Sequence, residues 1–200
     1  DTAEFTVENV TENKTYTAKF TKKVSRLFST RLVDTLITRD IFIKHYREMT
    51  AVHFVDLADY DLTNITWIDY SEDGDGSVKA WLDGTELYIG GYGKIIAGEL
   101  QYAFSGGVKI DRITGLDMLD TSRTYDMRYM FYNCGSESEV FTLDLGNNFD
   151  TSNARNMSYM FNFCGQKSPV FTLNLGNKFD TSHVAYMDYM FNGCGEESLV

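Results

Sequence analysis

The stretch DTSNARNMSYMFNFCG, residues 150–165, decides how this chain folds, because it occurs in three close copies. The same positions read DTSRTYDMRYMFYNCG at residues 120–135 and DTSHVAYMDYMFNGCG at residues 180–195. The copies therefore follow one another at a period of 30 residues without a gap. Self-similarity at such a period is typical of a solenoid, in which each repeat packs against its neighbours.

A polar start, an apolar face and a closing glycine predict one short helix in each copy. Asp150 and Ser152 supply side-chain oxygens that suit the free N–H groups at a helix start. Gly165 stands where a left-handed C-terminal cap requires a residue without Cβ. Between them, apolar residues recur at helical spacing. In the middle copy these are Ala154, Met157, Met160, Phe161 and Cys164.

A strand is predicted after each of these segments. Phe141, Leu143 and Leu145 alternate with Thr142 and Asp144. The next copy repeats the pattern, with Phe171, Leu173 and Leu175 alternating with Thr172 and Asn174. Such alternation buries the apolar set and exposes the other. We therefore predict an α+β, leucine-rich-repeat-like solenoid of parallel strands and short helices.

The rest of the chain is interpreted as regions that flank or cap this solenoid. Residues 1–21 read as a β-hairpin, the tail of a preceding β module. Residues 22–97 are predicted to be an N-terminal cap of a helix plus a β-hairpin whose turn is Asp83-Gly84. Residues 98–200 form the solenoid, with a degenerate copy at 98–119 and full copies from 120, 150 and 180. The last copy stops before its strand, so we expect a monomeric fragment of a longer chain, truncated at its C-terminus.

Two local patterns leave an alternative open. The basic, amphipathic spacing of residues 22–49 fits a helix that covers the end of the stack, and it also fits a helix on a membrane surface. The loop from Asp69 to Gly76 begins like an EF-hand, but Ala80 stands where the bidentate glutamate belongs. A flexible acidic turn is the preferred interpretation of that loop.

Composition argues against several classes of function. The net charge of −11 makes nucleic acid an improbable partner. No run of 18 apolar residues is present, so direct membrane insertion is not expected. The three cysteines fall one per copy, which predicts a buried ladder of small side chains rather than a metal site, and no cofactor is predicted. His45, His53 and His183 are scattered, so we predict no catalytic residues and no enzyme.

The candidate binding residues are exposed strand positions and one tyrosine column. They are Thr142, Asp144, Thr172, Asn174, Tyr129, Tyr159, Tyr189 and His183. A flat array of polar side chains suits contact with a protein or a glycan. Identical tyrosines at identical positions can equally stack on one another for stability. The whole array can also be a structural spacer that presents another domain.

The motif at residues 149–164, Phe-Asp-Thr-Ser-Asn…Asn-Met-Ser-Tyr-Met-Phe…Cys, resembles the BspA-like leucine-rich-repeat surface proteins of bacteria, whose repeat has 26 residues. Residues 77–89, Ser-Val-Lys-Ala-Trp-Leu-Asp-Gly-Thr-Glu-Leu-Tyr-Ile, resemble the segment that precedes those repeats. The repeats here are four residues longer, near Gly135–Val140 and Gly165–Val170.

This resemblance implies an extracellular protein on the bacterial cell surface, secreted or held at the cell wall. It also implies an adhesin that binds a host extracellular matrix protein, such as fibronectin or fibrinogen, or a glycan. A ligand does not transfer with a fold, and the family supplies no catalytic residues to carry over.

Overall fold

The computed structural model describes residues 2–9, 14–21 and 48–199. Its centre is a parallel β-solenoid of about four turns. We call residues 98–119 the degenerate repeat, 120–149 the first repeat, 150–179 the second and 180–199 the third. Residues 22–47, which hold most of the predicted basic helix and His45, lie outside the described residues. No α-helix occurs in the described ranges.

The described strands are numbered in chain order. They are β1 (Thr2–Asn9), β2 (Lys14–Thr21), β3 (Ala51–Asp56), β4 (Ile68–Asp69), β5 (Val78–Asp83), β6 (Glu86–Gly91), β7 (Ile95–Ile96), β8 (Arg112–Thr114), β9 (Leu119–Asp120), β10 (Val140–Asp144) and β11 (Val170–Asn174). Short 3-10 turns lie at Leu57–Asp59 and Leu116–Met118. Strands β1 and β2 pair antiparallel, from Thr2 opposite Thr21 to Asn9 opposite Lys14.

One sheet runs from the repeats into the region before them, in the order β11-β10-β8-β3-β6-β5-β4. Every pair from β11 to β6 is parallel, whereas β6–β5 and β5–β4 are antiparallel. The predicted β5–β6 hairpin is present, but its turn lies one residue later than predicted. Asp83 pairs with Glu86, so Gly84 and Thr85 form the turn, and only Gly84 has a positive φ, of 58°.

The apolar side chains form one continuous core from Met49 to Cys164. The predicted strand alternation is confirmed in β10, where Phe141 and Leu143 are buried while Val140, Thr142 and Asp144 are exposed. Phe141 stacks on Phe171 with ring centroids 5.8 Å apart. The inward residues of each strand therefore pack against the same residues of the next repeat.

The predicted helix of each repeat is wrong. Residues 127–135, 157–165 and 187–195 instead form successions of tight turns, which we call the turn ribbon. The N–H groups of Met130, Tyr132 and Cys134 each donate to the carbonyl three residues earlier, at 3.1–3.2 Å. Tyr129 and Asn133 have φ of 56°, which a right-handed helix does not allow.

Alternate N–H groups of the ribbon bond to a neighbouring repeat. Met127, Tyr129 and Phe131 donate to the carbonyls of the second repeat at 2.8–3.0 Å, and their acceptors are Asn156, Ser158 and Met160. An α-helix keeps these groups for its own chain segment. In the ribbon, every second N–H group instead joins neighbouring repeats. The predicted inward set is confirmed in the first repeat, where Met127, Met130, Phe131 and Cys134 are fully buried, and in the second repeat at the same positions. In the third repeat it is wrong for Met187 and Phe191, which are exposed.

The Asp-Thr-Ser motif does not cap a helix, contrary to the prediction. The Oδ1 atom of Asp150 accepts the N–H of Ser152 at 2.9 Å, which closes a local turn. The hydroxyl of Thr121 donates to the carbonyl of Asp150 at 2.9 Å and accepts its N–H at 2.7 Å. Thr151 makes the same pair of bonds with Asp180. The motif therefore fastens one repeat to the next.

Rings of the degenerate repeat stack on those of the first repeat at an offset of 27 residues. Phe104 stacks on Phe131 at 5.3 Å, and Tyr102 stacks on Tyr129 at 4.7 Å. Tyr102 also has a positive φ, of 62°. The turn ribbon thus begins in residues 98–119 although most of its sequence signature is lost there.

Candidate functional site

The outward face of the strands brings four of the predicted binding residues together. Thr142 lies beside Thr172, and Asp144 lies beside Asn174, in the register of the parallel β10–β11 pair. All four are exposed. The Oδ1 atoms of Asp144 and Asn174 accept the N–H groups of Gly146 and Gly176, at 2.8 and 3.0 Å. One carboxylate oxygen of Asp144 therefore stays available for a ligand.

A groove of about 610 Å³ opens on this face between β8 and β10. We call it the strand-face groove. Its lining residues are Asp111, Arg112, Ile113, Thr114, Gly115, Leu116, Asp117, Val140, Thr142, Asp144 and Gly146. Thr142 and Asp144 thus belong to the groove, whereas Thr172 and Asn174 lie on the next strand, outside its lining. Most of the groove's charged lining comes from the degenerate repeat, where the sequence patterns predicted no binding residue.

Arg112 is held in place by two carboxylates at the rim of the groove. Its guanidinium bonds to Glu86 at 2.5 Å and to Asp111 at 2.8 Å. Desolvation opposes ionisation of Glu86, but the hydrogen bond from His53 and the charge of Arg112 prevail and lower the pKa of Glu86. The positive charge of Arg112 is therefore largely offset before a ligand arrives.

His53 connects the groove to an aromatic row on the same sheet. Its Nδ1 lies 2.7 Å from the Thr114 hydroxyl, and its Nε2 lies 3.0 Å from Glu86. The ring stacks on Tyr88 at 4.7 Å, and Tyr88 stacks on Trp81 at 5.3 Å. Hydroxyl, imidazole and carboxylate in this order also occur in hydrolases. Because Glu86 is shared with Arg112 and the imidazole is stacked, we interpret the group as a structural network that fixes Thr114 and Arg112.

The predicted tyrosines form a separate feature, the tyrosine ladder, composed of Tyr102, Tyr129, Tyr159 and Tyr189. Tyr129 lies 4.6 Å from Tyr159, with an angle of 3° between the ring planes, and Tyr159 lies 5.2 Å from Tyr189. Both faces of Tyr129 and Tyr159 are thus covered by neighbouring rings. Desolvation and the adjacent tyrosines raise the pKa of Tyr129. For these two residues, only the ring edges and hydroxyls remain for a ligand.

His183 lies apart from both features. It is exposed, and its Nδ1 is 3.2 Å from the hydroxyl of Ser182. Its backbone carbonyl accepts a hydrogen bond from Arg155 in the second repeat. The structure therefore does not bring His183 together with the strand positions.

The cysteines occupy the core of the turn ribbon. Cys134 and Cys164 are fully buried, and desolvation raises the pKa of both thiols. Cys194 is less buried, and a hydrogen bond with Cys164 lowers its pKa. Within the described residues, no group of three or more His, Cys, Asp or Glu side chains is placed to hold a metal ion.

The acidic loop after β4 is organised by its own backbone. The two carboxylate oxygens of Asp69 accept the N–H groups of Ser71, at 3.0 Å, and of Gly76, at 2.9 Å. Asp75 accepts the N–H of Ser77 at 2.9 Å. These bonds close the loop as a series of turns.

Across the described part of the chain, no helix has the length and apolar character needed to cross a membrane.

A family model described as "Mycoplasma protein of unknown function, DUF285" matches residues 98–197, which span the degenerate repeat and the three repeats after it. No curated protein and no solved structure matches the chain.

Proposed function

The chain belongs to the DUF285 family, Mycoplasma proteins of unknown function, and we propose that it is a ligand-binding repeat module on the bacterial cell surface. The family description names no activity, so the proposal rests on surface chemistry and on the resemblance of the repeats to BspA-like surface proteins. In this proposal the chain is extracellular and contacts a host protein or glycan through the outer face of β8, β10 and β11.

The observation that carries the proposal is the strand-face groove. Its volume of about 610 Å³ lies within the range of roughly 300–1,000 Å³ that is usual for ligand sites. Thr114, Thr142 and Asp144 are exposed polar residues that line it from two neighbouring strands. Because strands hold side chains more firmly than loops do, such a site is ordered before a ligand binds.

A spacer that only presents another domain is the second candidate function. It is favoured by the tyrosine ladder, whose covered ring faces contribute to stability. A spacer needs a stiff array and requires nothing of the outward side chains. The two functions therefore differ in what substitutions on the strand face should do.

The test compares two multiple variants on a panel of immobilised matrix proteins, including fibronectin and fibrinogen, and on a glycan array. The strand-face variant carries Thr142→Ala, Asp144→Ser, Thr172→Ala and Asn174→Ser, since serine can still accept the N–H groups of Gly146 and Gly176. The control variant carries Tyr129→Phe, Tyr159→Phe, Tyr189→Phe and His183→Ala, which preserves the stacked rings.

We expect the strand-face variant to lose binding and the control variant to keep it. Loss of binding in the control variant alone would move the site to the tyrosine hydroxyls or to His183. If the wild-type protein binds no member of either panel, or if both variants bind as the wild type does, the spacer function is favoured.

A further inference from the structure

Resting on the proposed role of the strand face in binding, we infer that the strand-face groove takes a basic polypeptide segment of a partner protein. The segment would lie extended along β8 and β10 and place Lys or Arg side chains in the groove. Three observations support this choice of partner: the charge of the groove, the apolar part of its lining, and the contrast with the neighbouring strand β11.

The groove and its rim are acidic. Asp111, Asp117 and Asp144 line it, and Glu86 stands at its rim, against the cations Arg112 and Lys94. Arg112 is already paired with Glu86 and Asp111, and the Nζ atom of Lys94 bonds to the backbone carbonyl of Asp117 at 2.9 Å. None of the ion pairs among residues 48–199 includes Asp117 or Asp144. These two carboxylates therefore set the sign of the charge that a ligand meets.

Apolar surface beside those carboxylates suits the side chains of lysine and arginine. Val140 lines the groove and is 49% exposed. Lys and Arg lay their methylene stems along apolar surface while the charged group reaches a carboxylate. Arginine can also bond a carboxylate through two parallel N–H groups. Sulfated or sialylated glycans would instead meet like charge.

The carboxylate of Asp144 has no counterpart on the next strand, β11. Asn174 stands at the position of Asp144 in the second repeat, and both residues make the same hydrogen bond to a glycine N–H. Asparagine is therefore compatible with the backbone at position 144. This equivalence allows a carboxylate to be removed from the groove, or moved to the next strand, with the turn preserved.

The experiment measures binding of three fluorescent peptides of equal length by anisotropy at low and high salt. One peptide is rich in Lys and Arg, one carries Glu at the same positions, and one carries Ser. The proteins are the wild type, Asp144→Asn, Asp117→Asn with Asp144→Asn, and the exchange Asp144→Asn with Asn174→Asp. The exchange keeps the net charge at −11 and moves one carboxylate out of the groove.

We expect the basic peptide alone to bind, more weakly as salt rises because salt screens exposed charges. Asp144→Asn should weaken binding by roughly 3- to 10-fold, and the double substitution at 117 and 144 by more, in keeping with charge-assisted bonds. The exchange should bind as weakly as Asp144→Asn. Binding of the exchange at the wild-type level would show attraction by net charge alone and would overturn the inference.

Equal binding of the three peptides would overturn it as well. The inference alone fails if no peptide binds, while binding of a matrix protein or glycan is still lost in the strand-face variant. The proposed function fails by itself if the basic peptide binds in the groove while no member of the host panels is bound. The two results are therefore distinguishable.

Discussion

Thr121 joins two repeats through a single hydroxyl group. It is 1% exposed, and its hydroxyl satisfies both the N–H and the carbonyl of Asp150. Thr121→Val keeps the shape and leaves both backbone groups without that partner. We expect a loss of about 2–4 kcal/mol in the free energy of unfolding, measured with urea, because each unsatisfied group costs roughly 1–3 kcal/mol. Ser152→Ala, which removes a more exposed hydroxyl, should change it by less than about 0.5 kcal/mol. Equal stability of the two variants would contradict the role of Thr121.

Asp120 owes its acidity mainly to the neighbouring serine. The Ser122 hydroxyl donates to its Oδ1 at 2.6 Å, and this bond is the largest cause of the lowered pKa of Asp120. A carboxyl with a lowered pKa stabilises the fold above its unfolded pKa of about 4, and this contribution is lost as pH falls through the folded pKa. Ser122→Ala should raise the pKa of Asp120 in an NMR titration, and Ser122→Thr should restore it. The stability gap between wild type and Ser122→Ala should be largest above about pH 4 and should close in acid.

At the scale of the element, the sequence predicted which residues of the repeat are buried but not the path of its backbone. Met127, Met130, Phe131 and Cys134 have the spacing i, i+3, i+4, i+7, and both an α-helix and the turn ribbon bury that set. The ribbon is decided by N–H groups that bond to the following repeat, which depends on how repeats stack and leaves little trace in one copy. A weak trace exists at the second positive-φ position, which is Gly106, Asn133 and Gly193 in three of the four units.

Gly165 shows how the ribbon closes onto the strand that follows it. Its φ is 60°, and a Cβ atom there would lie 2.4 Å from Cδ2 of Phe171. Gly74 has a φ of 65° with no atom within 4 Å of such a Cβ, so it isolates the cost of the backbone conformation. We expect Gly74→Ala to cost about 1–2 kcal/mol and Gly165→Ala to cost about 1–3 kcal/mol more, since the ring must shift in a packed core. Thermal unfolding followed by circular dichroism measures both, and equal losses would contradict the steric role of Phe171.

At the scale of the whole molecule, the position of the candidate site was only partly predictable. Alternation along β10 identified Thr142 and Asp144 as outward residues, and both line the groove. Arg112 and Thr114 flank the buried Ile113 in the same alternating way. Strand β8 has only three residues, however, and this is too short for the alternation to be recognised in the sequence. The pairing of β3 with β6 and β8 also joins residues far apart in sequence, so the contacts of His53 with Thr114 and Glu86 could not be foreseen from local pattern.

The stability of the whole array should depend on where in the stack a residue lies, because a solenoid is held together by contacts between neighbouring repeats. Met157 and Met187 occupy the same position in consecutive repeats, yet Met157 is fully buried and Met187 is 44% exposed. Met157→Ala should therefore lower the free energy of unfolding in urea by about 2–5 kcal/mol, as for other buried large-to-small changes. Met187→Ala should lower it by less than about 1 kcal/mol. The core is continuous from Met49 to Cys164. Met157→Asp should therefore unfold all the repeats together, rather than the second repeat alone. A melting temperature of Met157→Asp equal to that of the wild type would contradict both the burial of Met157 and the coupling of the repeats through it.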